Sequence, residues 1–114
     1  MVGNVLKRAG TIQQLSILVF VGATFAAQLQ AQSFTQYPIS GDGAGIAAGP
    51  DGNIWFTEDN ANKIGRVTPS GVVTEFSIPT ARSGPDSITR GSDGNLWFTE
   101  GNAGKIGRIT TAGA

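Results

Sequence analysis

Apolar residues occur in this chain in two styles. Leu15 to Ala27 (LSILVFVGATFAA) is a largely unbroken apolar run that follows the basic pair Lys7 and Arg8. Beyond it, apolar residues come in short bursts punctuated by Gly, Pro, Asp and Asn. The first style is an address. The run is too short for a bilayer span, and Leu29-Gln30-Ala31 puts a small residue at a cleavage position. Residues 1–31 are therefore read as a signal peptide cut after Ala31, with an uncleaved N-terminal anchor as the alternative, and the mature chain is expected to be secreted or periplasmic.

The second style repeats. Asp51-Gly-Asn-Ile-Trp-Phe-Thr-Glu58 recurs as Asp93-Gly-Asn-Leu-Trp-Phe-Thr-Glu100, and Lys63-Ile-Gly-Arg-Val-Thr68 recurs as Lys105-Ile-Gly-Arg-Ile-Thr110, both at a step of 42 residues. Each unit predicts four short strands, A to D, placed in the first at 45–48, 53–58, 63–68 and 72–78. Pro50-Asp51-Gly52 and Pro69-Ser70-Gly71 supply the turn chemistry between them.

Strand B settles the architecture. Ile54, Trp55 and Phe56 are consecutive, and neighbouring side chains on a strand point to opposite faces, so both faces must be covered. Blades stacked around an axis do this, and the period lies in the propeller range. A β-sandwich would alternate apolar and polar positions and need no repeat. The fold class is all-β, a β-propeller of four-stranded blades, about two of them present.

Thr35-Gln-Tyr-Pro-Ile39 resembles the strand D segment Thr74-Glu-Phe-Ser-Ile78. The expected order is thus a strand D at 34–40, a blade at 45–79 and an incomplete blade at 87–114, the last two making a partial propeller with the first over 32–114. Two blades cannot close a ring. Each outer face is expected to expose a tryptophan with a phenylalanine or isoleucine, more apolar surface than a monomer usually shows. The missing blades are expected in cis, in a longer product of which this chain is a truncated part, with self-association as the alternative.

Composition narrows the chemistry. The 114 residues contain no cysteine and no histidine. Thiol chemistry and the commonest general base and metal ligand are therefore excluded. Eight basic residues balance eight acidic ones, so charge points to no nucleic acid and, after signal cleavage, no membrane surface.

The stretch GPDGNIWFTEDNANKIGRVTPSGVVTEFSIPT, Gly49 to Thr80, resembles the blade repeat of the virginiamycin B lyase (streptogramin lyase) family, and the WFTE and KIGR motifs carry the resemblance into the second unit. It implies a ring of about seven blades and a Mg²⁺-assisted lyase that linearises cyclic depsipeptide antibiotics by elimination at their ester bond. The family pattern places a histidine in Gly-Pro-His-Gly-Ile at the start of strand A of a catalytic blade. Here Gly43-Ala-Gly-Ile46 and Gly84-Pro-Asp-Ser-Ile88 put Ala44 and Asp86 at that position. No catalytic residue and no resident cofactor are assigned to this chain, and the fragment is expected to be inactive alone.

Strand alternation places the D-to-A and B-to-C connections at one end, where propellers commonly bind ligands. Asp59, Asn60, Arg82, Asp86, Arg90 and Asn102 are the ligand-face candidates, and Glu58 and Glu100 are candidate Mg²⁺ carboxylates. Against that, a carboxylate present in every unit is expected to serve the unit by accepting loop hydrogen bonds. The non-enzyme alternative is an extracytoplasmic binding or scaffold module for a small-molecule or polysaccharide ligand.

Overall fold

The computed structural model describes residues 31–114. The signal-peptide reading of 1–31 therefore falls almost wholly outside the described residues. Seven strands follow: β1 Gly43–Ala48, β2 Ile54–Glu58, β3 Lys63–Val67, β4 Val73–Ser77, β5 Pro85–Arg90, β6 Leu96–Glu100 and β7 Lys105–Ile109. They form a four-stranded sheet β1-β2-β3-β4 and a three-stranded sheet β5-β6-β7, every pair antiparallel. This meander order is that of two adjoining propeller blades, the second without its outer strand.

Each repeated motif has a mechanical reason. In the Asp-Gly-Asn turn, Asp51 accepts hydrogen bonds from the Asn53 backbone N–H (3.2 Å), the Asn53 side chain (2.8 Å) and the indole N–H of Trp55 (3.0 Å). Asp93 does the same for Asn95 and Trp97, the indole bond being 2.9 Å. One carboxylate thus closes the turn and fixes the tryptophan rotamer. In KIGR, Gly65 faces Phe56 across the ladder and Gly107 faces Phe98. A Cβ at either glycine would run into the phenylalanine ring, which lies against the bare backbone. The arginine of KIGR covers the other face, Arg66 lying 5.6 Å from the Trp55 ring and 5.5 Å from Phe76, and Arg108 lying 5.7 Å from Trp97.

The core sits between the sheets. Trp55, Ile64 and Ile78 of the first blade meet Ile88, Leu96, Phe98 and Ile109 of the second. Trp55 also stacks on Phe76 of its own blade, with centroids 5.8 Å apart. The joint is directional, because the tryptophan face of one blade lies on the leucine/phenylalanine face of the next. It carries polar rungs as well. Thr57 donates its hydroxyl to the Asp86 carbonyl of the second blade (2.7 Å), and Arg66 Nη1 donates to the Thr111 carbonyl (3.0 Å).

Three expectations are corrected. Residues 34–40 form no strand. An outer strand exists only through its ladder with a strand C, and the outer edge of β3 is already held by β4. The inner strands begin earlier than the repeat indicated, at Gly43 and Pro85, because each starts with a bulge: register passes from Gly43↔Glu58 to Ile46↔Phe56, and from Pro85↔Glu100 to Ile88↔Phe98. Finally, the bare faces differ from one another. The second blade exposes Trp97 and Ile106, whereas the first exposes Ile46 and Ile54 and keeps Trp55 inside the joint.

Two predictions follow from these contacts. Gly65→Ala forces the Phe56 ring off the strand and should lower the unfolding free energy by about 1–3 kcal/mol in a urea titration, whereas an unchanged midpoint would contradict the close approach. The second concerns pH. The Trp97 and Asn95 hydrogen bonds hold the Asp93 carboxyl at about 2, below its ordinary 3.8. A carboxyl lowered by folding stabilises the fold above its unfolded pKa, and that contribution disappears as pH falls through the folded value. Stability should therefore decline between about pH 4 and pH 2, and Asp93→Asn should flatten part of that decline in acid titrations followed by tryptophan fluorescence.

Candidate functional site

The end of the blades that carries the β2–β3, β4–β5 and β6–β7 connections gathers most of the candidates. Asp59 and Asn60 sit exposed in the β2–β3 turn, Asn102 in the β6–β7 turn, Arg82 in the β4–β5 connection and Asp86 at the start of β5. Asn60 donates its side-chain amide to the Asp42 carboxylate. Arg90 does not belong with them. It ends β5 and pairs with Leu96 at the opposite end of the blade, because β5 runs six extended residues from Pro85 to Arg90.

Two residues organise this end that the repeat did not single out. Asn62 takes a left-handed backbone with φ of 56° and donates its amide to the Ile78 and Thr80 carbonyls at 3.3 and 2.9 Å. Its Oδ1 accepts the backbone N–H and the hydroxyl of buried Ser83 at 2.9 and 2.7 Å. The β2–β3 turn is thereby stapled to the β4–β5 connection. A signal for it stood in the sequence: Gly104 occupies the equivalent place one repeat later, also at positive φ, and asparagine is the side chain that best tolerates that backbone.

The most distinctive geometry is the bulge at the start of each inner strand. In the first blade the backbone N–H of Gly45 donates to the Thr57 hydroxyl (2.7 Å), and in the second that of Ser87 donates to Thr99 (3.0 Å). The threonine of WFTE therefore holds the bulge open. Ala44 and Asp86 occupy it, with exposed side chains at the loop-bearing end. Bulges re-aim a side chain that would otherwise follow the pleat. At Asp86 the carbonyl turns to the preceding blade, where Thr57 holds it, and the side chain faces solvent.

Glu58 and Glu100 lie at the same end but point into protein. Glu58 is fully buried, its Oε2 accepting the backbone N–H groups of Ser40 (3.1 Å) and Gly41 (3.3 Å), while Oε1 has no hydrogen-bond partner. Glu100 is 4% exposed and accepts the Thr80 hydroxyl at 3.5 Å. Magnesium holds several waters and takes one or two carboxylates facing an aqueous space. A single carboxylate oxygen shut away from solvent does not supply that setting. Among the described residues no three of Asp, Glu, His or Cys gather as metal ligands. These residues do not fit a magnesium ion.

The model of the virginiamycin B lyase family matches residues 24–114. Among curated proteins, virginiamycin B lyase of Bordetella bronchiseptica is 47% identical over 45 residues, 40% of this chain and 15% of that protein. Its counterpart in Bordetella parapertussis is 46% identical over 45 residues, with the same two shares. Among solved structures, virginiamycin B lyase from Staphylococcus aureus superposes with a TM-score of 0.66 at 49% identity over 68% of this chain and 28% of that one. A streptogramin B lyase superposes with a TM-score of 0.66 at 44% identity, covering 68% and 27%. The chain thus matches about 15% of the length of these curated relatives and under a third of the solved ones. With the family model running through both repeats and into the segment before them, the chain belongs to the virginiamycin B lyase family.

Proposed function

We propose that this chain supplies two adjoining non-catalytic blades of an exported streptogramin-lyase-like propeller, presenting ligand-facing loops while the elimination chemistry resides in other blades. One observation carries the reading. The bulge position that the family resemblance gives to a histidine holds Ala44 in the first blade and Asp86 in the second, and the sequence contains no histidine at all. Alanine moves no proton, and a solvent-exposed carboxyl is a weak acid–base group near neutrality. What these blades offer is a rigid stage. The Thr57 and Asn62 networks fix the loops from within, and Asp59, Asn60, Arg82, Asp86 and Asn102 stand on that support with their side chains in solvent.

A binding module without turnover is the second reading, and it draws on the same residues. It treats the loop end as a site for a small molecule or a polysaccharide. The two readings part over the ligand: the first has these loops face a cyclic depsipeptide, the second a different small molecule or a polysaccharide. A solved relative, a catalytically inactive virginiamycin B lyase from Staphylococcus aureus with quinupristin, names a suitable probe.

Incubated with quinupristin and Mg²⁺, the chain should leave the retention time of the antibiotic unchanged, since ring opening by elimination yields an isomer that chromatography separates. Chain-dependent ring opening that stops on chelation would overturn the proposal. Export has its own check. Intact mass after expression in a bacterial host should show a chain beginning at Gln32 in the extracytoplasmic fraction, and an uncut N-terminus would favour the anchor.

A further inference from the structure

The β4–β5 connection and the start of β5 carry two charges that the fold does not use. Arg82 and Asp86 are both exposed, and among the described residues neither side chain has an ion-pair or hydrogen-bond partner. Close in sequence and opposite in sign, they do not pair with each other. Other charges are taken up by the structure: Lys63 meets Glu75 at 2.9 Å, Arg108 lies 3.6 Å from Asp93, and Arg66 covers Trp55.

The backbone beneath these two charges is held from both blades. Asn62 takes the Thr80 carbonyl and both donors of Ser83. The Ser83 and Gly84 carbonyls accept the backbone N–H groups of Asn102 (3.0 Å) and Gly101 (2.8 Å) in the β6–β7 turn. The peptide that follows Asp86 is gripped at both ends, its carbonyl by Thr57 and the Ser87 N–H by Thr99. Ser83 and Pro85 are buried, so Arg82 and Asp86 are the charged side chains that face solvent from one fixed strip.

Neither residue is required by that strip. Arg82 has a φ of 47°, a left-handed backbone that crowds an L side chain and that glycine adopts freely. Gly84 and Gly104 do so nearby. At the bulge, Ala44 fills in the first blade the place that Asp86 fills in the second. The fold would be served by glycine at one position and alanine at the other, so the guanidinium and the carboxylate are left for something outside it.

We propose that Arg82 and Asp86 form a two-point recognition site for an uncharged ligand of peptide type, Arg82 donating to a carbonyl oxygen and Asp86 accepting an N–H. The proposal rests on the reading that this loop end faces the ligand. A fixed pair of opposite charges suits a dipolar group, and a peptide unit presents an acceptor and a donor together. A strongly anionic ligand would be drawn to Arg82 but repelled by Asp86 and by Asp42 and Asp59, which are exposed in the same set of connections. The connections at this end, 59–62, 78–84 and 101–104, contain no aromatic residue on which a sugar ring could lie.

Titration of the isotope-labelled full chain with quinupristin, followed by two-dimensional NMR, tests the pair. The Arg82 side-chain N–H and the backbone amides of Asp86 and Asn102 should shift. Arg82→Gly and Asp86→Ala each install a residue suited to the existing backbone, so both should keep the urea midpoint, and each should weaken binding about tenfold or more. Arg90→Ala, at the opposite end of the blade, should leave the affinity unchanged. Shifts at the loop end with an affinity that either Arg82→Gly or Asp86→Ala leaves unchanged would overturn the pair while the ligand reading stands. No shift at any loop-end amide would remove that reading and the pair with it. A fallen urea midpoint in Arg82→Gly would assign the arginine to the fold and overturn the proposal. Shifts of the same two residues with the neutral sugar cellohexaose in place of quinupristin would overturn the choice of a peptide-type ligand.

Discussion

The structure depends on one contact, the tryptophan face of a blade lying on the leucine and phenylalanine face of the next. Burying a tryptophan side chain removes on the order of 150–250 Å² from water, worth ~4–6 kcal/mol. A two-blade unit therefore draws much of its stability from Trp55 and the residues that hold it. Those residues are the repeated motifs. Asp51 anchors the indole nitrogen, Arg66 covers the ring with its guanidinium, and Phe76 stacks on the same tryptophan. Gly65 acts on the opposite face, where it lets Phe56 lie flat. A motif that looks like a functional signature is the fastening of a joint.

The joint also shapes the site. Thr57 lies between Trp55, which faces the next blade, and Glu58, which ends the strand, and its hydroxyl serves two backbones at once. It accepts the Gly45 N–H, opening the bulge in its own blade, and donates to Asp86, holding the bulge in the next. The position that the family resemblance gives to chemistry is therefore set by a threonine in the packing core. A change in how two blades meet would move that position directly.

Much of this was legible in the sequence, and the parts that were not share a cause. Strand order, register and the two-sided burial of strand B are local properties of a repeat, and they read directly from WFTE and KIGR. The bulge was not legible, because the Thr57 bond that makes it joins residues 12 apart in sequence. Arg90 was placed at the wrong end because β5 begins at Pro85, so its length carries Arg90 to the far turn. The strand expected at 34–40 failed for a different reason. Its sequence matches an outer strand, but a strand also needs a neighbour, and the described residues provide none.

The repeat itself divides structure from function. Positions that are identical in both units, such as Glu58 and Glu100 or Trp55 and Trp97, are consumed by the unit: the glutamates receive the segment entering each blade, each tryptophan is held by the aspartate of its own turn, and Trp55 makes the joint between the blades. An asymmetric ligand cannot be recognised by features that every blade presents alike. Recognition must come from positions where the units diverge on a shared frame. At the loop end these are Ala44 against Asp86, Asp59 against Gly101 and Asn62 against Gly104, each pair one repeat apart. The first pair occupies the bulge, the second begins the turn beside it, and the third decides whether that turn is stapled to the linker. The units also differ at the opposite turns, Ala48 against Arg90, Pro50 against Ser92 and Pro69 against Thr111, but at the loop end the divergence falls on the bulge and on the turn that Asn62 staples from beneath.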